Sequence, residues 1–213
     1  ARQKPVAYLT CNFNKPLGDK PALFTHDEVT TLFHEFGHGI HHMLTEIDVG
    51  DVSGINGVAW DAVELPSQFL ENWCWEEEAL AFISGHYETG EPLPKAKLTQ
   101  LLKAKNYQAA MFVLRQLEFG IFDFRLHSST PRENLVLDTL KVQSPAWVRR
   151  PHSFSHIFAG GYAAGYYSYL WAEVLSADAF ARFEEEGIFS REVGQSFLDN
   201  ILTRGGSEEP MVL

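Results

Sequence analysis

The sequence predicts a mainly helical protein with a small β element near its N terminus. Three observations predict it: long stretches in which apolar residues return every three or four positions, a capping signature ahead of the clearest of them, and one short β-favouring run with no helical period. Of the 213 residues, 45% are hydrophobic and 21% charged, the balance of an ordinary water-soluble globular domain.

Residues 6–13 read as the strand, because Val6, Tyr8, Thr10 and Phe13 favour a pleated surface. A turn-rich loop over 14–21 follows. Thr25-His26-Asp27-Glu28 has the S/T-x-x-E pattern of a capping box. Behind it, Val29, Leu32, Phe33, Phe36, Ile40, Met43 and Leu44 fall on one face of a helix. Residues 50–57 form a glycine-punctuated loop. A second helix is expected from near Asp61 toward Ser84, with a distorted first turn or a kink where Pro66 frees the carbonyl four residues back. Helical patterns also span 94–127 and 131–141. An irregular segment rich in Pro, Arg, Ser and His then leads to Gly160-Gly161. The last helices are expected over 162–177 and 190–202. No repeat, low-complexity tract or linker divides the chain, which therefore reads as one domain over 1–213.

A formal charge of −11 repels nucleic acid and anionic lipid, and excludes both as the main partner. It serves solubility, or draws weakly on cationic peptides. No apolar run reaches the roughly 18 residues that span a bilayer. Ala1-Arg2-Gln3-Lys4-Pro5 does not open a secretory signal. The two cysteines, Cys11 and Cys74, lie far apart with no metal or redox spacing, so no disulfide framework is expected and a reducing cytoplasm fits.

The sharpest local feature is His34-Glu35-Phe36-Gly37-His38, inside the capped helix. Residues four apart share a helix face about one turn from each other, so both imidazoles can grip one cation. Glu35 points about 100° away around the axis, where it takes a proton from water without becoming a ligand. The H-E-x-x-H pattern thus reads as a zinc site that activates water for peptide hydrolysis. A chance match, with both histidines merely solvated or packed, is the plain alternative.

Catalytic zinc usually has three protein ligands and an open position. His41 and His42 turn away on the same helix and are expected to be partly exposed or to support the ligands from behind. Asp61, Glu64, Gln68 and Glu71 form a polar stripe on the next helix, and periodicity alone does not choose among Asp61, Glu64 and Glu71 as the third ligand. A solvated face is the ordinary reading of such a stripe. Tyr162, Tyr166 and Tyr169 fall at i, i+4 and i+7, a spacing that more often means core packing.

Three stretches carry a family resemblance. The run from Thr25 to His38, the run Val63-Glu64-Leu65-Pro66-Ser67-Gln68-Phe69-Leu70-Glu71-Asn72-Trp73, and the run Ser155-His156-Ile157-Phe158-Ala159-Gly160-Gly161-Tyr162 continuing through Tyr166 to Trp171 resemble the thimet-oligopeptidase family. Similarity extends over essentially the whole chain. It implies a zincin-like helical metallopeptidase core holding one Zn2+ through His34, His38 and Glu64. Asp61 and Glu71 then stand behind the histidines. The resemblance further implies a cytoplasmic endopeptidase that cuts internal bonds of short peptides inside a deep channel, with Glu35 as general base on a metal-activated water. Tyr162 and Tyr169 match tyrosines that contact substrate and the developing oxyanion. His156, Gly160, Gly161 and Tyr166 are expected at the substrate.

Members of that family are several times longer, so the chain is expected to be a catalytic-domain fragment whose remainder is its partner. Two competing readings follow. One is a peptide-binding fragment that no longer turns over; the other is a protein whose zinc is purely structural, which requires four protein ligands and no acid at Glu35.

Overall fold

The computed structural model describes residues 3–128, 145 and 147–213. The first helix, α1, spans His26–Met43. Its capping box is complete: the Glu28 amide donates to Thr25 Oγ1 at 3.2 Å and the Thr25 amide donates to Glu28 Oε2 at 2.7 Å. These bonds satisfy two amides that a helix start otherwise leaves orphaned.

The single helix expected over 61–84 is instead three short pieces: α2 (Leu65–Glu71), a 3-10 turn (Asn72–Trp75) and α3 (Glu77–Ile83). Pro66 does not kink a running helix. It sits in the first turn of α2, where its missing N–H would have found no partner. Residues 59–64 wind as tight turns, with Ala62 N donating to Ala59 O and Leu65 N to Ala62 O. At Glu76 the backbone turns extended, with ψ 130°, and separates the second and third pieces.

The pattern over 94–127 likewise divides, into α4 (Lys95–Lys105) and α5 (Ala109–His127). Gln108, left-handed at φ 56°, makes the break. The helix expected over 131–141 lies outside the described residues. Downstream come α6 (Ser155–Phe158), α7 (Ser168–Glu186) and α8 (Arg191–Phe197), with a π-helical turn over Leu198–Leu202. None of the helices is long and apolar enough to cross a membrane among the described residues.

The expected β element is not formed. Residues 6–13 join no ladder, and the one β-type pairing among the described residues is an isolated bridge between Leu17 and Lys20. Strand-favouring residue types mark a surface suited to a sheet, but a strand exists only with a hydrogen-bonded neighbour. Here Val6, Tyr8 and Leu9 stay exposed.

Two aromatic clusters hold the helices. Phe69 of α2 packs with Phe180 and Phe183 of α7 and with Val193 of α8. Trp73 and Phe197 close this cluster, and Phe69 stacks on Phe197 with 4.1 Å between ring centres. In the second cluster Phe154, Ile157 and Tyr166 pack against Phe119 and Phe122 of α5. Cys74 is fully buried, and burial pushes its thiol up to about 12. Cys11 is partly exposed, and neither cysteine is in a disulfide.

Candidate metal centre

His34 and His38 stand one turn apart on α1, on the side that meets α2. The two helices are in backbone contact there. A Cβ placed on Gly37 would lie 2.5 Å from Pro66 O and from the Ser67 Cα, so no larger residue fits between the histidines without displacing α2. This crossing brings Glu64, the residue before α2, beneath both imidazoles. Glu64 is only 2% exposed. Its Oε2 lies 3.3 Å from His34 Nε2 and 3.1 Å from His38 Nε2, while the two rings stand nearly perpendicular at 86°.

These spacings fit an ion. Bonds of about 2.0–2.1 Å in a tetrahedral site set neighbouring donors roughly 3.3 Å apart. The three donor atoms all lie within 4.8 Å of one another, and no fourth His, Cys, Asp or Glu joins them among the described residues. Two neutral imidazoles and a carboxylate suit a borderline divalent metal.

Two of these side chains, His34 and Glu64, are held from behind. Glu71 Oε1 lies 2.6 Å from His34 Nδ1, the carboxylate–histidine arrangement that fixes a metal-binding ring. Ser67 Oγ donates to Glu64 Oε2 at 2.9 Å, and the Tyr162 hydroxyl donates to Glu64 Oε1. Burial opposes the charge on Glu64, yet its bonds to His34 and His38 hold it well below the usual carboxylate range. Burial likewise opposes the His34 imidazolium, but Glu64 and Glu71 outweigh it and raise His34 to about 10.

A 350 Å³ cleft opens beside the three donors, and His34, Glu35, His156, Tyr166, Tyr169 and Glu173 are among the residues lining it. A larger, mainly apolar hollow of 850 Å³ lies against α3 and α4 and contains none of the three donors.

The tyrosines reach this region by a different route from the one their spacing predicts. Residues 160–167 are not helical: Gly161 (φ 88°) and Ala164 (φ 56°) turn the chain, and α7 begins only at Ser168. The phenols still converge. Tyr162 stacks on Tyr169 at 5.1 Å, and Tyr166 lies 5.0 Å from Tyr169, between ring centres. His156 stands 5.7 Å from the Tyr166 ring and 6.1 Å from that of Tyr169. Burial first, and Glu64 next, push Tyr162 and Tyr169 well above the ordinary phenol value, so both keep their protons as donors at neutral pH.

Gly161 makes room for Trp60, whose ring would lie 2.7 Å from an added Cβ. At Gly160 an added Cβ would come within 2.9 Å of His156 O in the same turn. Asp61 accepts from the Tyr167 hydroxyl at 2.9 Å, and Gln68 Nε2 donates to Tyr169 O at 3.1 Å.

His41 departs from the expected partial exposure. It is 3% exposed, because this end of α1 packs against residues 58–62 and the chain near Ile201. Burial, with His38 and His42 nearby, lowers it to about 4.

The motifs pass over Asp123. It is fully buried on α5, accepts from Ala164 N at 2.9 Å and Tyr166 N at 3.0 Å, and lies 2.8 Å from His127 Nδ1. A sequence signal exists: an acid in the apolar run Phe119-Gly120-Ile121-Phe122-Asp123-Phe124, with a histidine four residues on.

A helix carrying two imidazoles and an adjacent acid, with a carboxylate delivered from the next element, is the donor set of a metallopeptidase. The sequence pattern of peptidase family M3 matches residues 1–213, and the chain belongs to that family. Oligopeptidase A of Haemophilus influenzae is 79% identical over 99% of this chain, and that of Escherichia coli K12 is 75% identical over the same share. A thimet-like oligopeptidase of Dictyostelium discoideum is 38% identical over 97% of the chain. The resemblance read from the three motifs is borne out. The chain spans about a third (32%) of the length of each of these curated relatives. A metal cofactor accompanies this family, and His34, His38 and Glu64 are the side chains that fit one.

Proposed function

We propose that the chain is the metal-binding catalytic part of a longer, zinc-dependent endopeptidase that hydrolyses internal bonds of short oligopeptides in the cytoplasm. The carrying observation is the convergence of His34 Nε2 and His38 Nε2 on Glu64 Oε2, at 3.3 and 3.1 Å, beside a cleft that contains Glu35. The names of the relatives support the substrate class. A single Zn2+ at these donors supplies Lewis acidity, lowering the pKa of water from about 15.7 toward 7 and polarising a carbonyl.

The chain's own groups do the rest. Glu35 accepts the proton of the attacking water and returns it to the departing amine. Tyr169, protonated and in the cleft wall, donates to the oxyanion as it forms. Tyr162 is engaged with Glu64, so it steadies the carboxylate and joins Tyr169 in donating once substrate draws it over. His156 and Tyr166 line the same cleft and hold the peptide, with Gly160 and Gly161 shaping the turn beside it. Glu71 keeps the His34 ring in register, and Asp61 acts at one remove through Tyr167.

The test is Glu35→Gln in the full-length enzyme, assayed on a short quenched fluorescent peptide with and without chelator. The variant is expected to keep its zinc and lose at least about 100-fold in kcat. Turnover near the parent rate, or a parent indifferent to chelator, overturns the proposal. A bound metal with no turnover in the parent points to the structural or peptide-binding alternative.

A further inference from the structure

We propose that Asp123 is a positioning residue that fixes the turn carrying Tyr162 and Tyr166 beside the metal-binding side chains. The inference rests on the peptidase reading above.

A carboxylate with no exposed surface survives in a folded interior only when its oxygens are satisfied. Asp123 satisfies both with the same turn: Oδ1 accepts from Ala164 N at 2.9 Å and Oδ2 from Tyr166 N at 3.0 Å. His127, one turn along α5, brings Nδ1 to 2.8 Å from Oδ1 and completes the set. A planar, two-oxygen acceptor on two amides of one turn fixes the orientation of that turn as well as its distance. The turn needs such a hold, because Ala164 sits at φ 56°, where an alanine is strained.

What the clamp holds is the chemistry. Tyr162, two residues before Ala164, donates to Glu64, and Tyr166 lies in the cleft wall. Asp123 is not among the residues lining the cleft, so it acts through the tyrosines. Other contacts also act on this turn: Tyr166 packs in the buried cluster with Phe154 and Ile157, and the Tyr162 hydroxyl reaches the buried Glu64. Trp60, half exposed, rests on Gly161, and the Tyr167–Asp61 bond is at the surface. What Asp123 adds is a direct backbone hold from α5, which lies close to the turn: a Cβ on Gly120, one helical turn before Asp123, would be 3.9 Å from the Tyr167 backbone.

Asp123→Asn in the full-length enzyme tests this. Asparagine keeps the shape but sets an N–H donor against one of the two amides. The expected result is a kcat lower by about 10- to 100-fold, with KM and bound metal close to the parent values. Combined with Tyr162→Phe, it is expected to cost less than the product of the two single losses, because the hydroxyl that Asp123→Asn misplaces is already absent. Turnover within about twofold of the parent overturns the inference. So do losses that multiply in the double variant, as independent structural damage would.

Hydrogen exchange supplies a readout that needs no turnover. The Ala164 and Tyr166 amides are expected to be protected like α5 in the parent and to lose protection in Asp123→Asn. If that variant does not fold, exchange in the parent decides: exchange at the rate of an open turn sinks the clamp, and protection supports it. A parent without chelator-sensitive cleavage refutes the peptidase reading alone, since these amides report on the clamp directly.

Discussion

Gly37 answers to two neighbours at once. It lies between the paired histidines, and its missing Cβ is what lets Pro66 and Ser67 press against α1. Gly37→Ala is expected to cost about 1–3 kcal/mol of unfolding free energy through overpacking. It should also weaken metal binding, because pushing α2 away withdraws Glu64. Denaturant titration and metal competition, run on one preparation, check both effects, and a shift in only one of them would separate the packing from the site. The histidines and Glu35 are legible in the sequence because helical period alone sets their geometry. Glu64 is not legible that way, since Asp61, Glu64 and Glu71 have the same spacing logic. In the structure each meets a different partner: Tyr167, the imidazole pair, and the far nitrogen of His34. What distinguishes them is the crossing of α2, which no local pattern encodes.

α1 begins where its capping signature says it does. Thr25→Ala removes the acceptor for the Glu28 amide and is expected to cost about 1 kcal/mol, read as a lower denaturation midpoint with an unchanged slope. An unchanged midpoint would mean that this end of α1 is held by packing alone. Caps and proline positions are readable because their cause is local. The break between α4 and α5 turns on a non-glycine residue in a left-handed conformation, Gln108, and composition does not announce it. Tyr162, Tyr166 and Tyr169 misled for a related reason. Their spacing suits a helix face, yet only Tyr169 is on a helix, and the buried Asp123 clamp gathers the others by tertiary contact. Residues 6–13 show the converse: favourable residue types, with no neighbouring strand among the described residues to pair with.

Across the molecule, the two aromatic clusters set α2, α5, α7 and α8 around the metal-binding region, while the inner end of α1 rests on its own buried histidine. His41 titrates near 4 when folded and near 6.5 when unfolded. Between those values the unfolded chain binds a proton that the folded chain refuses, so stability is full above about pH 6.5 and falls as the pH drops toward 4. The shift corresponds to an effect on the order of 3 kcal/mol. With chelator present throughout, the parent is expected to lose about 2 kcal/mol more than His41→Leu between about pH 7 and pH 4.5. Parallel stability curves for the two proteins would remove His41 from this account.

Cys74 gives that same interior a built-in clock. Its sulfur is enclosed and reluctant to ionise, whereas Cys11 has some access to solvent. A thiol-modifying reagent therefore meets one ready site and one that answers only when the surrounding helices part. The slow labelling phase times the breathing of the scaffold around the ion-binding side chains, in untouched protein and without a substrate.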